Sequence, residues 1–161
     1  MASRQLSEMP SKPAVYALMG GRGRSKNVAY IGIADNLKQR ITQHIIRRDS
    51  SITTGASVVV INPDKISEVW WWITPIFNDR GSLEAAEEVA SQILKPILRS
   101  QGKLTDRART HLASPSFFNE MKTLFSGQPT GTIALVNHDN IIERVEVLEE
   151  EVKRLKELIQ N

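Results

Sequence analysis

Two short apolar runs, Ala14 to Met19 and Val28 to Ile33, stand either side of a turn rich in Gly, Arg and Ser. That arrangement predicts a β-hairpin. Past it, Asp35 offers a side-chain oxygen to cap a helix. Leu37, Ile41 and Ile45 recur every four residues, so a helix over about 36–48 has one apolar face. Ala56 to Ile61 is a Val/Ile run that favours a strand. Asn62-Pro63-Asp64 marks a turn. Glu68 to Thr74, with Trp70, Trp71 and Trp72 in succession, predicts a central strand with both faces covered. Ser82 is the expected cap of a second helix whose buried stripe is Leu83, Ala86, Ala90, Ile93, Leu94 and Ile97, with Pro96 kinking or ending it. Residues 101–112 are basic and either irregular or a short helix. Ser114-Pro115 opens a third helix whose expected apolar face is Phe117, Phe118, Met121, Leu124 and Phe125 and which stops near Gly127. Residues 132–136 are either a short strand or a linker.

The last stretch changes period. Ile141, Val145, Leu148, Val152, Leu155 and Ile159 alternate four and three residues apart, which is a heptad seam. With Val145, Val152 and Ile159 at a and Ile141, Leu148 and Leu155 at d, a parallel two-stranded coil is expected. In that register Arg144 meets Glu149 and Glu151 meets Lys156 across the pair. The seam is only about 28 Å long, so the alternative is a helix packed on its own domain. The pattern as a whole predicts an α/β domain of the α+β kind, a small, mainly antiparallel sheet flanked by helices, with a C-terminal coiled-coil helix. Its expected divisions are a flexible arm over 1–12, a domain over 13–126, a linker or short strand over 127–140, and a dimerisation helix over 141–161.

Charge adds one asymmetry. Residues 1–126 hold 17 Lys/Arg against 11 Asp/Glu, and residues 127–161 hold 4 against 7. A basic domain suits a polyanion, since displaced counterions favour phosphate binding, although ordinary solubility would also account for it. Zero cysteines excludes disulfides and thiolate metal sites and fits a reducing cytoplasm. No apolar run of about 18 residues is present, so no membrane span is expected, and the first residues lack a signal peptide's apolar core. Gly20 to Arg24 is no P-loop, because no Gly-Lys-Ser/Thr opens a helix after it.

The hairpin and helix bring Tyr16, Tyr30, Arg40 and His44 towards one patch, with Arg40 and His44 one helical turn apart. Ala14-Val15-Tyr16, Tyr30-Ile31-Gly32, the Arg40 and His44 helix, and Glu87 nine residues before Pro96 come in an order and spacing that resemble the GIY-YIG nuclease superfamily over roughly residues 13 to 100. The resemblance implies a metal-dependent endonuclease. In it Glu87 would hold one Mg²⁺ or Mn²⁺, Arg40 would stabilise the phosphate, Tyr16 or Tyr30 would be the general base, and His44 would relay the proton. Such a tyrosine needs neighbouring cations to lower its pKa. DNA is the expected substrate, with RNA open, and Arg22, Arg24, Lys26, Lys38, Arg47 and Arg99 are the expected phosphate contacts. Taken singly, the tyrosines could be strand aromatics, Arg40 a solvated charge, His44 a core-edge residue and Glu87 a helix-dipole partner. Three departures stand out: Ala14 replaces the first Gly, the turn between the tyrosines is long, and Arg99 stands where the family often has Asn. Residues 51–65 look like an added element for specificity or dimer contacts. Two rivals remain, a non-catalytic nucleic-acid-binding module and a subunit activated by a partner in a defence or repair complex.

Overall fold

The computed structural model describes residues 6–21, 23–46, 51–54, 57–99, 102–135 and 138–159, with backbone alone at 51–54, 57–60, 138–144 and 147. The hairpin forms as β1 (Ala14–Gly20) and β2 (Asn27–Ala34). β1 is buried along its whole length, because it lies inside the sheet and both of its faces are covered. β5 (Ile66–Trp72) pairs antiparallel with its other edge, and β6 (Gly131–Ala134) pairs antiparallel with β5. The sheet order is β2-β1-β5-β6. β3 (Ser51–Thr54) and β4 (Ser57–Val60) make a separate hairpin within the segment expected to be an addition. The architecture is α+β, as the periodicities predict.

Alternation along β1 sorts the core into two layers. Val15, Ala17 and Met19 face helix α2 (Arg80–Leu94), α3 (Asp106–Leu112) and α4 (Pro115–Ser126), where Leu83, Val89, Ala108, Met121 and Phe125 meet them. Ala14, Tyr16 and Leu18 face α1 (Leu37–Ile45), against Leu37 and Ile41. The tryptophans divide as a central strand requires: Trp72, with Trp70 partly buried, on the α2 side and Trp71 on the other. Trp71 lies over β6, where a Cβ on Gly131 would collide with its indole.

Three local expectations are corrected. Asn36, not Asp35, caps α1, its Oδ1 accepting from the Gln39 amide at 3.0 Å. The helix begins one residue later than the Asp35 cap required, which leaves Asp35 outside the capping position. Asp79 rather than Ser82 caps α2, accepting from the Ser82 amide and hydroxyl, both at 2.9 Å. Burial of Gly81 and Ser82 carries that helix one turn further back than its apolar stripe suggests. Residues 6–12 are not a loose arm: Leu6 and Met9 are buried, and the carbonyls of Pro10 and Lys12 accept from the first amides of α1. Residues 131–134 take the short-strand alternative to a linker and form the fourth strand of the main sheet, so the domain continues past residue 126. Pro96 ends α2 as expected, with Lys95 turning left-handed at φ 50°. The last helix, α5 (His138–Ile159), follows β6 and meets the Pro63–Lys65 turn. No described helix is long and apolar enough to cross a membrane.

Candidate active site at the β2 edge

β2 is an edge strand, and the first half of its outer edge is taken by Ile97 and Leu98, whose amides donate to the Val28 and Ala29 carbonyls at 2.9 Å. Beside this bridge a cleft of about 270 Å³ opens between α1 and α2. Tyr16 and Tyr30 reach it from the sheet, Arg40 from α1, and Arg80, Glu84, Glu87 and Glu88 from α2, with Lys103 on the loop before α3. Residues spread over more than seventy positions of sequence therefore share one wall-to-wall space.

The strand register explains the tyrosine pair. Tyr16 sits opposite Gly32 and Leu18 opposite Tyr30, so the two phenols are diagonal neighbours on one face. Their ring centroids are 6.2 Å apart. Tyr16 lies across Gly32: a Cβ there would stand 2.5 Å from the Tyr16 hydroxyl and 2.8 Å from Tyr30 Cε1. Glycine is thus required opposite the first tyrosine for steric reasons. Behind them His44 is fully buried, its Nε2 2.8 Å from the Tyr16 hydroxyl. Burial pushes the Tyr16 phenol well above its ordinary pKa. Tyr30 adds to this, and the nearby Arg40 guanidinium opposes it without prevailing. The cation-lowered phenol expected at the base is therefore not found at Tyr16.

On α2, Glu84, Glu87 and Glu88 share one face at i, i+3 and i+4. Two of them are engaged. Glu84 takes Thr105 Oγ1 at 2.7 Å and Arg80 Nε at 3.2 Å, and Glu88 takes Arg99 and Gln92. Glu87 receives no hydrogen bond from a described residue. Burial pushes its carboxyl up to about 7, Arg80 opposing the rise and Glu88 and Glu84 adding to it. No family model, characterised protein or solved structure matches the chain.

A half-buried carboxylate with no donor, beside two others, is a place where a divalent cation would restore the charged form. One carboxylate fits the mostly water-ligated shell of Mg²⁺, whose other ligands come from solvent and substrate phosphate. Among the described residues no group of three or more His, Cys, Asp or Glu forms a preassembled cage.

Of the expected phosphate contacts, none of the four described ones, Arg24, Lys26, Lys38 and Arg99, lines the cleft. Lys26 is held by both Glu68 oxygens at 2.8 Å and lies 5.0 Å over the Trp70 ring. Lys38 donates to the Ser7 carbonyl and anchors the N-terminal segment on α1. Arg99 is paired with Glu88, and Arg24 is exposed at the hairpin tip. Arg22 and Arg47 lie outside the described residues. The cleft cations that the sequence did not single out are Arg80 and Lys103. Arg80 bridges Asp35 at 3.0 Å and Glu84, tying the start of α1 to α2. Lys103 is exposed and has no carboxylate partner among the described residues. No local signal marks either one, since each gains its place from chain segments far away in sequence.

Proposed function

We propose that this cleft hydrolyses a phosphodiester bond of DNA, as a metal-dependent endonuclease of the GIY-YIG kind. One observation carries the reading: Tyr16, Tyr30, Arg40 and Glu87 line a single cleft, with His44 bonded directly behind Tyr16. Arg40 has no ion pair among the described residues; it bonds Gln43 at 3.3 Å and hydrogen-bonds to Tyr16, and its guanidinium lines the cleft, where it can grip a phosphate. Glu87 would hold Mg²⁺ or Mn²⁺, which when bound supplies positive charge against the phosphate oxygens.

The raised Tyr16 pKa favours a relay over a free base. A free phenolate is disfavoured in this pocket. Tyr16 instead accepts a proton from the attacking water as its own passes to His44 Nε2, so the oxygen never carries a full charge. The histidine ends protonated and returns its proton by the same path after the products leave. Tyr30, packed edge-on to the His44 ring at 6.4 Å, holds that ring in place. Two copies acting together would present two such clefts to a duplex, as cutting both strands requires.

The test is cleavage of plasmid and branched DNA with Mg²⁺ and Mn²⁺ by wild type and Glu87→Ala. Cleavage lost in the variant supports the reading. No cleavage by folded wild type, with salt-sensitive binding retained, would establish the binding-module alternative.

A further inference from the structure

We infer that α5 is one strand of a parallel two-stranded coiled coil whose partner is a second copy of this chain. The inference stands apart from cleavage, because no described side chain of α5 lines the cleft. At 22 residues α5 is about 33 Å long. A helix docked on its own domain would bury its apolar stripe. Here Val145, Leu148, Val152 and Leu155 are 46%, 55%, 48% and 52% exposed, and Ile159 is 84% exposed. Their spacing of three, four, three and four residues averages 3.5. Such a stripe stays continuous only when two helices wind round each other. Valine at a with leucine at d favours two parallel strands.

The charges beside the stripe identify the partner. In a parallel pair the g position of one chain faces the next e position of the other. Glu151 would therefore face Lys156 of the second copy, and the symmetric contact repeats the match. The same register sets position 144, an arginine, against Glu149. A helix whose flanks attract their own copies needs no foreign partner to explain them. Its outer positions Glu146, Glu150, Lys153, Arg154 and Glu157 are exposed and charged, as the solvent face of a two-stranded coil requires. Leu158, an exposed leucine at the last g position, extends the apolar strip at the end of the coil.

Light scattering of the full chain at micromolar concentration tests this. Wild type should weigh twice the 18.1 kDa chain. Leu148→Glu/Leu155→Glu, changed where the side chains are exposed, should weigh one chain and keep the wild-type tryptophan circular dichroism. Orientation is read from Leu155→Cys, clean because the protein has no cysteine. Oxidation should link two chains through residue 155 if they run parallel and in register. An antiparallel pair would set residue 155 near residue 145 and leave it unlinked. A monomeric wild type, a mass unmoved by the double substitution, or an unlinked Leu155→Cys dimer would each overturn the proposal.

Discussion

Gly32→Ala replaces a hydrogen with a methyl group at the point where the two tyrosines cross. The new Cβ would sit 2.5 Å from the Tyr16 hydroxyl, 2.7 Å from its Cζ and 2.8 Å from Tyr30 Cε1. Real carbon contacts do not come this close, so something must move. Neither ring can swing into solvent: Tyr16 is fully buried, Tyr30 is 6% exposed, and His44 backs both. Forcing a methyl into a packed core typically costs about 1–3 kcal/mol, and this site belongs at the upper half of that range. For a chain of this size the melting temperature should fall by roughly 4–10 °C. Urea unfolding followed by tryptophan fluorescence measures the cost, with an unchanged m-value showing that stability alone has moved. Gly102→Ala is the control, since no atom lies within 4 Å of its added Cβ. Tyr16→Phe removes the closest atom of the clash, so the double variant Gly32→Ala/Tyr16→Phe should lose less than the two single losses combined. A Gly32→Ala protein as stable as Gly102→Ala, or strict additivity in the double variant, would refute the steric account of why glycine stands opposite the first tyrosine.

Glu87 is predicted to weaken the fold when no metal is bound. A carboxyl raised to about 7 opposes folding progressively as pH climbs from its unfolded value towards 7, and by its full amount above. In chelator at pH 8, Glu87→Gln should therefore be more stable than wild type, by about 1–3 kcal/mol, and Mg²⁺ should stabilise wild type alone; denaturant titration with and without the ion reads both. Asp79 works in the opposite sense. The Ser82 amide and hydroxyl, with Arg107 and His111, hold its carboxyl below the usual range, so its stabilising effect is full above the unfolded pKa and disappears as pH falls through the folded one. Asp79→Ala should melt below wild type at neutral pH, and the two melting curves should converge in acid; a gap that persists at low pH would count against the cap. Tyr16→Phe should keep DNA binding while the single-turnover cleavage rate falls by about 10²–10⁴-fold, the usual share of a general base. Equal rates would remove Tyr16 from the proton path. Lys103→Ala should lower the slope of log affinity against log salt by about one unit if its ammonium meets a phosphate, and an unchanged slope would place it outside the DNA contact.

The parts legible in the sequence were those carried by near neighbours. The β1–β2 hairpin follows from two apolar runs around a glycine turn, α1 from Leu37 and Ile41 one turn apart, and the seam of α5 from heptad spacing. That Tyr16, Tyr30, Arg40 and His44 lie towards one patch was also legible, because strand alternation and helical spacing fix which face each occupies; Glu87 was singled out only by the resemblance. What those local rules could not supply was everything that depends on distant chain. Asp35 and Asn36 are equally good caps by type, and only the point at which α1 begins selects Asn36. β6 is four residues long with no pattern of its own, and it is a strand because the edge of β5 is there to pair with it. Lys26, Lys38 and Arg99 look like phosphate ligands in isolation, yet Glu68, the Ser7 carbonyl and Glu88 engage them in the fold. The sign of the Tyr16 shift was decided the same way. Arg40 nearby suggests a lowered pKa, but the sheet, α1 and His44 remove the phenol from water, and desolvation outweighs the cation. Periodicity is a property of adjacent residues and survives in one dimension; burial and charge pairing are set by which distant groups meet, and those exist only once the chain has folded.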